Sequence, residues 1–128
     1  MAFVLDASVP IAIYKREPGA DGLLGRIGKS FIGIVNFHEF AEHLVRLGAN
    51  DSVVPGTVMS LPYTIIEADR SLAFSAARLA RVTRRAGLSL GDRFCLALAK
   101  QMNLPALTGD RRWLDVADEI GGKVELFR

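Results

Sequence analysis

Short apolar runs that stop at a helix-start signal recur along this chain, and that alternation leaves few folds open to it. Phe3-Val4-Leu5 ends at Asp6, and Ser8 and Pro10 then open a second apolar stretch that reaches Tyr14. Proline suits the first turn of a helix, where its missing N–H is not needed, and serine is a favourable N-cap. Residues 30–35 read as a second strand, with Asn36 capping a helix over 37–47 that Gly48 ends. Residues 63–66 are β-branched and short, a third strand. Asp69 caps a helix over 70–86, stopped by Gly87, and Ser89 opens another over 90–102. A fourth strand over 105–108, a helix over 111–120 and a closing strand over 123–127 complete the series, with a short helix over 21–29 and a weaker one over 50–61. Strands that alternate with helices call for a parallel sheet covered on both faces. The expected fold class is α/β, in one domain spanning residues 1–128.

Composition narrows the class further. The chain has 128 residues, half of them hydrophobic, which suits a packed core and argues against disorder. No run approaches the ~18 apolar residues of a membrane helix, and the N-terminus lacks the basic start of a secretory signal. A single cysteine, Cys95, excludes an internal disulfide and fits a reducing, cytoplasmic setting. The net charge of +2 is compatible with a nucleic-acid partner without demanding one.

The informative polar residues are acids. Asp6 ends the first strand, Glu39 opens the helix after the second, Asp92 lies in the first turn of the helix over 90–102, and Asp110 follows the fourth strand. In a parallel α/β fold, strand ends and the helix starts that follow them share one rim. Carboxylates gathered there repel and raise one another's pKa values. A bound divalent cation removes the conflict, and carboxylate oxygens suit Mg²⁺ and Mn²⁺. No cysteine–histidine set has zinc-ligand spacing. Singly, three of these acids have plain structural readings: Asp92 completes a capping box with Ser89, Asp110 caps the next helix, and Glu39 favours the positive end of its own. Asp6 has none, because Ser8 is the better cap there.

Four blocks then resemble a known family: VLDAS at 4–8, VNFHE at 35–39, LSLGDRFCLALA at 88–99 and LPALTGDRRW at 104–113. They are similar in kind and order to the motifs of PIN-domain ribonucleases, and most of all to the VapC toxins of bacterial toxin–antitoxin pairs. The resemblance spans essentially the whole chain. It implies a PIN-like three-layer sandwich with a mostly parallel central sheet of about five strands. It also implies a Mg²⁺- or Mn²⁺-dependent endoribonuclease that cuts RNA, such as transfer RNA, forms a homodimer and is inhibited by a VapB-type antitoxin. Asp6, Glu39, Asp92 and Asp110 match the four family acids, with Asp6, Asp92 and Asp110 as the metal ligands. Glu42, one turn after Glu39, competes for the second place. Gly109 stands where the family often has alanine or serine.

Around these acids, Ser8 and Thr108 are candidate accessory hydroxyls, and Arg93, Arg111 and Arg112 are placed to touch RNA phosphate or to pair with the acids themselves. At 100° per residue, Arg70, Arg78, Arg81, Arg84 and Arg85 fall within an arc of roughly 120° on the helix over 70–86, a solvated face or an RNA-contacting one. Trp113 reads as packing beneath the Asp110 turn or as a base-stacking ring, and Cys95 as core. A haloacid-dehalogenase-type phosphotransferase needs an acid where Ser8 stands, and a receiver-like Mg²⁺ module needs a second acid beside Asp6. The remaining alternative is a PIN-fold interaction or Mg²⁺-binding signalling module without catalysis.

Overall fold

The computed structural model describes all of residues 1–128. Five strands, β1 (Val4–Leu5), β2 (Phe31–Gly33), β3 (Thr64–Ile66), β4 (Ala106–Thr108) and β5 (Val124–Leu126), form one sheet in the order β3-β2-β1-β4-β5. Every neighbouring pair is parallel. The expected sandwich is therefore present, with a sheet that is wholly parallel. The helices are α1 (Ser8–Lys15), α2 (Leu23–Arg26), α3 (Ile34–Arg46), α4 (Val54–Val58), α5 (Arg70–Arg78), α6 (Ala80–Thr83), α7 (Leu90–Met102) and α8 (Ala117–Ile120). None is long and apolar enough to cross a membrane.

The period-2 alternation of the strands divides the core. Val4 and Ala106 face one layer, where α5 and α7 pack with Trp113, Val116 and Ile120. Phe3, Leu5, Ile32 and Leu107 face the other, against Val9, Ala12, Leu23, Ile27 and Phe127. A smaller cluster of Phe40, Leu44, Val54 and Val58 joins α3 to α4.

From β1 the chain builds the sheet outward through β2 and β3, then returns to pair β4 with the other side of β1. The reversal puts a crevice at the carboxyl ends of β1 and β4, the place where open α/β sheets take ligands. Asp6 follows β1 and Thr108 ends β4, so both stand on this crevice.

Several local expectations give way to tertiary structure. Asn36 is not a cap: α3 begins at Ile34 directly after β2, and Gly33 takes the extended N-cap position (φ −70°, ψ 152°). The apolar residues Ile34 and Val35 read as strand because they continue the β2 run. Ser8 is not a cap either, since α1 has no side-chain cap and the Ser8 hydroxyl is engaged elsewhere. The span 70–86 is not one helix but α5, α6 and a 3-10 turn over Arg84–Ala86. The break falls at Leu79, whose carbonyl accepts both the Thr83 N–H (2.9 Å) and the Thr83 hydroxyl (2.8 Å), a back-bond that bends helices. The basic stripe is therefore not a continuous helix face, and Arg85 pairs with Glu119. The span 111–120 divides likewise, into a 3-10 turn over Arg111–Asp115 and α8.

Candidate active site

Asp6 is the centre of the rim. It is only 7% exposed. Its Oδ2 accepts hydrogen bonds from the Ser8 hydroxyl at 2.7 Å and the Thr108 hydroxyl at 2.8 Å. Ser8 Oγ in turn accepts the Gly109 N–H (3.1 Å), and Thr108 Oγ1 accepts the Asp110 N–H (3.1 Å). The end of β1, the start of α1 and the turn after β4 are thus tied through one carboxylate oxygen. Burial pushes the Asp6 carboxyl up to about 6; the two hydroxyls pull it down, and the nearby Asp92 charge pushes it up further.

Glu39 reaches the same rim from α3. Its Oε1 accepts a hydrogen bond from Asn36 Nδ2 at 2.8 Å. Burial raises its pKa, the Asn36 bond lowers it, and the charges of Asp6, Asp92 and Glu42 raise it again. Asp92 sits in the capping box at the head of α7, where its Oδ2 accepts the Ser89 N–H at 2.8 Å. Cys95, one turn along, is fully buried, and its thiol is pushed well up by burial and by the charges of Asp6, Asp92 and Glu39. These three acids therefore gather around the first turns of α7. In each, one oxygen is held and the other has no hydrogen-bond donor among the side chains.

Asp110 differs. Both of its oxygens are taken by Arg112, with Nη2 at 2.6 Å from Oδ2 and Nε at 3.0 Å from Oδ1. Those bonds hold its carboxyl below the usual carboxylate range. The Asp92 charge adds slightly to the upward push that Asp110 gives the Arg112 guanidinium, and Arg112 Nη1 reaches the Gly87 carbonyl at 3.2 Å. The rim thus assembles as three acids and a fourth clasped by an arginine. Glycine at 109 has a local reason: a Cβ there would lie 2.9 Å from the Phe127 ring.

The accessory candidates separate cleanly. Ser8 and Thr108 hold Asp6. Glu42 turns to Arg46 at 3.0 Å and lines a cleft of about 300 Å³ with Ile11, Glu39, His43 and Arg46. Arg93 donates to the Leu88 carbonyl at 3.2 Å. Arg111 is exposed beside the rim. Trp113 is completely buried, so it packs beneath the turn and stacks on nothing outside. A second cleft, of about 500 Å³, lies away from the acids between α5 and α7.

Two residues to which the motifs gave no role at the rim lie against its acids. Asn36 binds Glu39 and, through Nδ2, the Gly91 carbonyl at 3.0 Å. Gly91 leaves the space in which the Glu39 carboxylate lies. The Asn36–Glu39 spacing of three residues on one helix was the available signal, hidden by the reading of Asn36 as a cap.

The donor set fits a hard divalent cation in kind: it is all oxygen, it is acidic, and its charges repel across the crevice. As the side chains stand, no three of the His, Cys, Asp and Glu groups converge closely enough to enclose an ion. The free oxygens of Asp6, Glu39 and Asp92 are available to close on one. Asp110 joins them only by giving up Arg112.

The family model of the PIN domain matches residues 3–119. Among solved structures, the fold is similar to a toxin–antitoxin complex from Klebsiella pneumoniae (TM-score 0.75, 17% identity, 98% of each chain covered). It is also similar to VapBC2 from Rickettsia felis bound to a promoter DNA fragment (TM-score 0.74, 13% identity, 98% of each chain covered). VapBC-5 from Mycobacterium tuberculosis gives a TM-score of 0.63 at 22% identity, with 99% of this chain and 98% of that one covered. Comparison with the curated proteins gives no match.

Proposed function

The chain belongs to the PIN-domain family, and from that premise we propose that it is a Mg²⁺- or Mn²⁺-dependent endoribonuclease, the toxin of a toxin–antitoxin pair. The observation that carries the reading is the buried Asp6 carboxylate at the β1–β4 crevice, raised to about 6 and facing the charges of Glu39 and Asp92. A fold that gathers three such groups without a counter-charge beside Asp6 suits a divalent cation. Toxin–antitoxin complexes are among the similar solved structures, which supports a VapB-type antitoxin as partner. RNA, including transfer RNA, is the proposed substrate, and a homodimer the proposed assembly.

In this reading Asp6, Asp92 and Asp110 hold the cation, and Glu39 either ligates it or orients the attacking water. When bound, the cation would neutralise charge on the phosphodiester and acidify that water. The chain's own groups prepare the site. Ser8 and Thr108 fix Oδ2 of Asp6 and with it the orientation of the carboxylate. The capping box does the same for Asp92. Arg112 holds Asp110 aside and can move from that carboxylate to the incoming phosphate, which its planar fork also matches. Arg111, exposed on the same turn, meets the neighbouring phosphate. Arg93, tied to a backbone carbonyl, contributes less.

The rival reading, a PIN-fold interaction module without chemistry, draws on the clasped Asp110. One experiment separates the two. Purified chain is incubated with total RNA and Mg²⁺ or Mn²⁺, against EDTA and an Asp6→Asn variant. Metal-dependent cleavage lost in the variant supports the nuclease. No cleavage together with no Mn²⁺ binding supports the module.

A further inference from the structure

Asn36 stands where the two helices that carry Glu39 and Asp92 meet. It is 1% exposed. Its amide spends both protons, one on Glu39 Oε1 within α3 (2.8 Å) and one on the Gly91 carbonyl of α7 (3.0 Å). Both partners are acceptors, so only the NH₂ end of the side chain can face them. Its Oδ1 is left buried with no partner, an arrangement that costs free energy. A buried asparagine placed only to join two helices would gain by satisfying its oxygen as well. Here the amide donates one hydrogen bond to the Glu39 carboxylate and one to the head of α7, and its oxygen is left without a partner.

Gly91 supplies the other half of the device. A Cβ at that position would lie 2.2 to 2.5 Å from the carboxylate atoms of Glu39. The carboxylate therefore rests directly on the first turn of α7, beside the residue that precedes Asp92. Asn36 pulls it there, and Gly91 makes room.

We propose that Asn36 is a positioning residue of the acidic site. It pins Glu39 against the head of α7, so the separation of Glu39 from Asp92 is set before a cation arrives. It acts through Glu39 and touches no ligand itself. The inference rests on the reading of the rim as a divalent-cation site.

The test is Mn²⁺ titration of the whole chain by calorimetry, without RNA, for wild type, Asn36→Ala, Glu39→Gln and the double variant, with unfolding midpoints measured in parallel. Loss of a group that orients a ligand weakens metal binding by roughly 10-fold or more, and that is the expected effect of Asn36→Ala in the wild-type background. With Gln at 39 the same change is expected to alter affinity less than about twofold, because the two residues act as one unit. Gly91→Ala is the companion variant. It leaves Asn36 intact and puts a better helix former into α7. It displaces only the flexible end of Glu39. Its midpoint is expected at or above that of wild type, with Mn²⁺ binding weakened about as much as by Asn36→Ala. If Asn36→Ala does not fold, Gly91→Ala decides alone. Equal losses from Asn36→Ala in both backgrounds would reduce Asn36 to a structural contact. Wild-type affinity in Gly91→Ala would overturn the inference while leaving the metal site standing. A wild-type chain that takes up no Mn²⁺ would remove the metal site, and the inference with it, before any variant is compared.

Discussion

Asp6 carries a conflict that its neighbours only half resolve. Two hydroxyls stabilise its anion, yet burial and Asp92 still raise the folded pKa from 3.8 to about 6. Between those values the native state holds a proton that the unfolded chain has released. Stability must therefore fall as pH rises through this window and level off above it. A shift of this size corresponds to about 3 kcal/mol at neutral pH. Asp110 works in the opposite sense: Arg112 lowers its folded pKa, so its contribution is present above the unfolded value and is lost as pH falls through the folded one. Asp6→Asn is expected to flatten the decline between pH 4 and 6 and to raise the metal-free stability at pH 7.5, as read by urea unfolding across that range. A variant less stable than wild type at pH 7.5 would mean that Ser8 and Thr108 satisfy the anion fully. The placement of the four acids was legible in the sequence because strand ends and helix starts share one rim. Their tethers were legible only in part. Ser8 and Thr108 stood out as accessory hydroxyls, with Ser8 read equally as a cap, yet the Ser8 hydroxyl serves Asp6 from two residues away and Gly109 from a hundred residues on, a contact that no local pattern encodes.

Elements were most legible where a local rule and the tertiary contacts agree. The head of α7 is such a place: Ser89 and Asp92 form the reciprocal capping box their spacing announces. Ser89→Ala removes the hydroxyl that accepts the Asp92 N–H but keeps the Ser89 N–H that holds the Asp92 carboxylate. It should cost about 1 kcal/mol of stability and change Mn²⁺ affinity less than twofold, a separation that unfolding and calorimetry on the same sample would show. The end of α1 breaks a rule instead. Arg16 adopts φ 53° and ψ 46°, a conformation that costs most L-residues about 1 kcal/mol or more. Arg16→Gly is expected to raise the unfolding free energy by roughly 0.5–1 kcal/mol, and a lowered midpoint would show that the arginine side chain offsets its strained backbone. Legibility failed where packing overrides propensity. Ile34 and Val35 are strand formers that start a helix because α3 must leave β2 at once to deliver Asn36 and Glu39 to α7. The bend at Leu79 depends on one hydroxyl, Thr83, whose choice of acceptor is invisible in a periodicity count.

For the molecule as a whole, the sheet order decides why a destabilising carboxylate persists at its centre. Reversal at β1 places Asp6 against β4, where Thr108 can reach it, and the same crossovers bring α3 and α7 together over the crevice. The fold thus concentrates negative charge at the one place an open parallel sheet leaves for a ligand. A cation bound there stabilises the native state by mass action, by about 2.7 kcal/mol at a free concentration one hundred times Kd. For a domain of this size that is roughly 10 °C in melting temperature. Asp6→Asn relieves the repulsion without the cation and gives up the binding, so Mn²⁺ should close most of the gap between the two proteins. In EDTA the variant should melt above wild type. In saturating Mn²⁺ at pH 7.5 wild type should gain roughly 10 °C, while the variant barely moves. Thermal melts of both proteins in both buffers test the closing of that gap. Equal gains in the two proteins would place the Mn²⁺ elsewhere on the chain. No gain in either would leave the crowded acids without the cation that explains them.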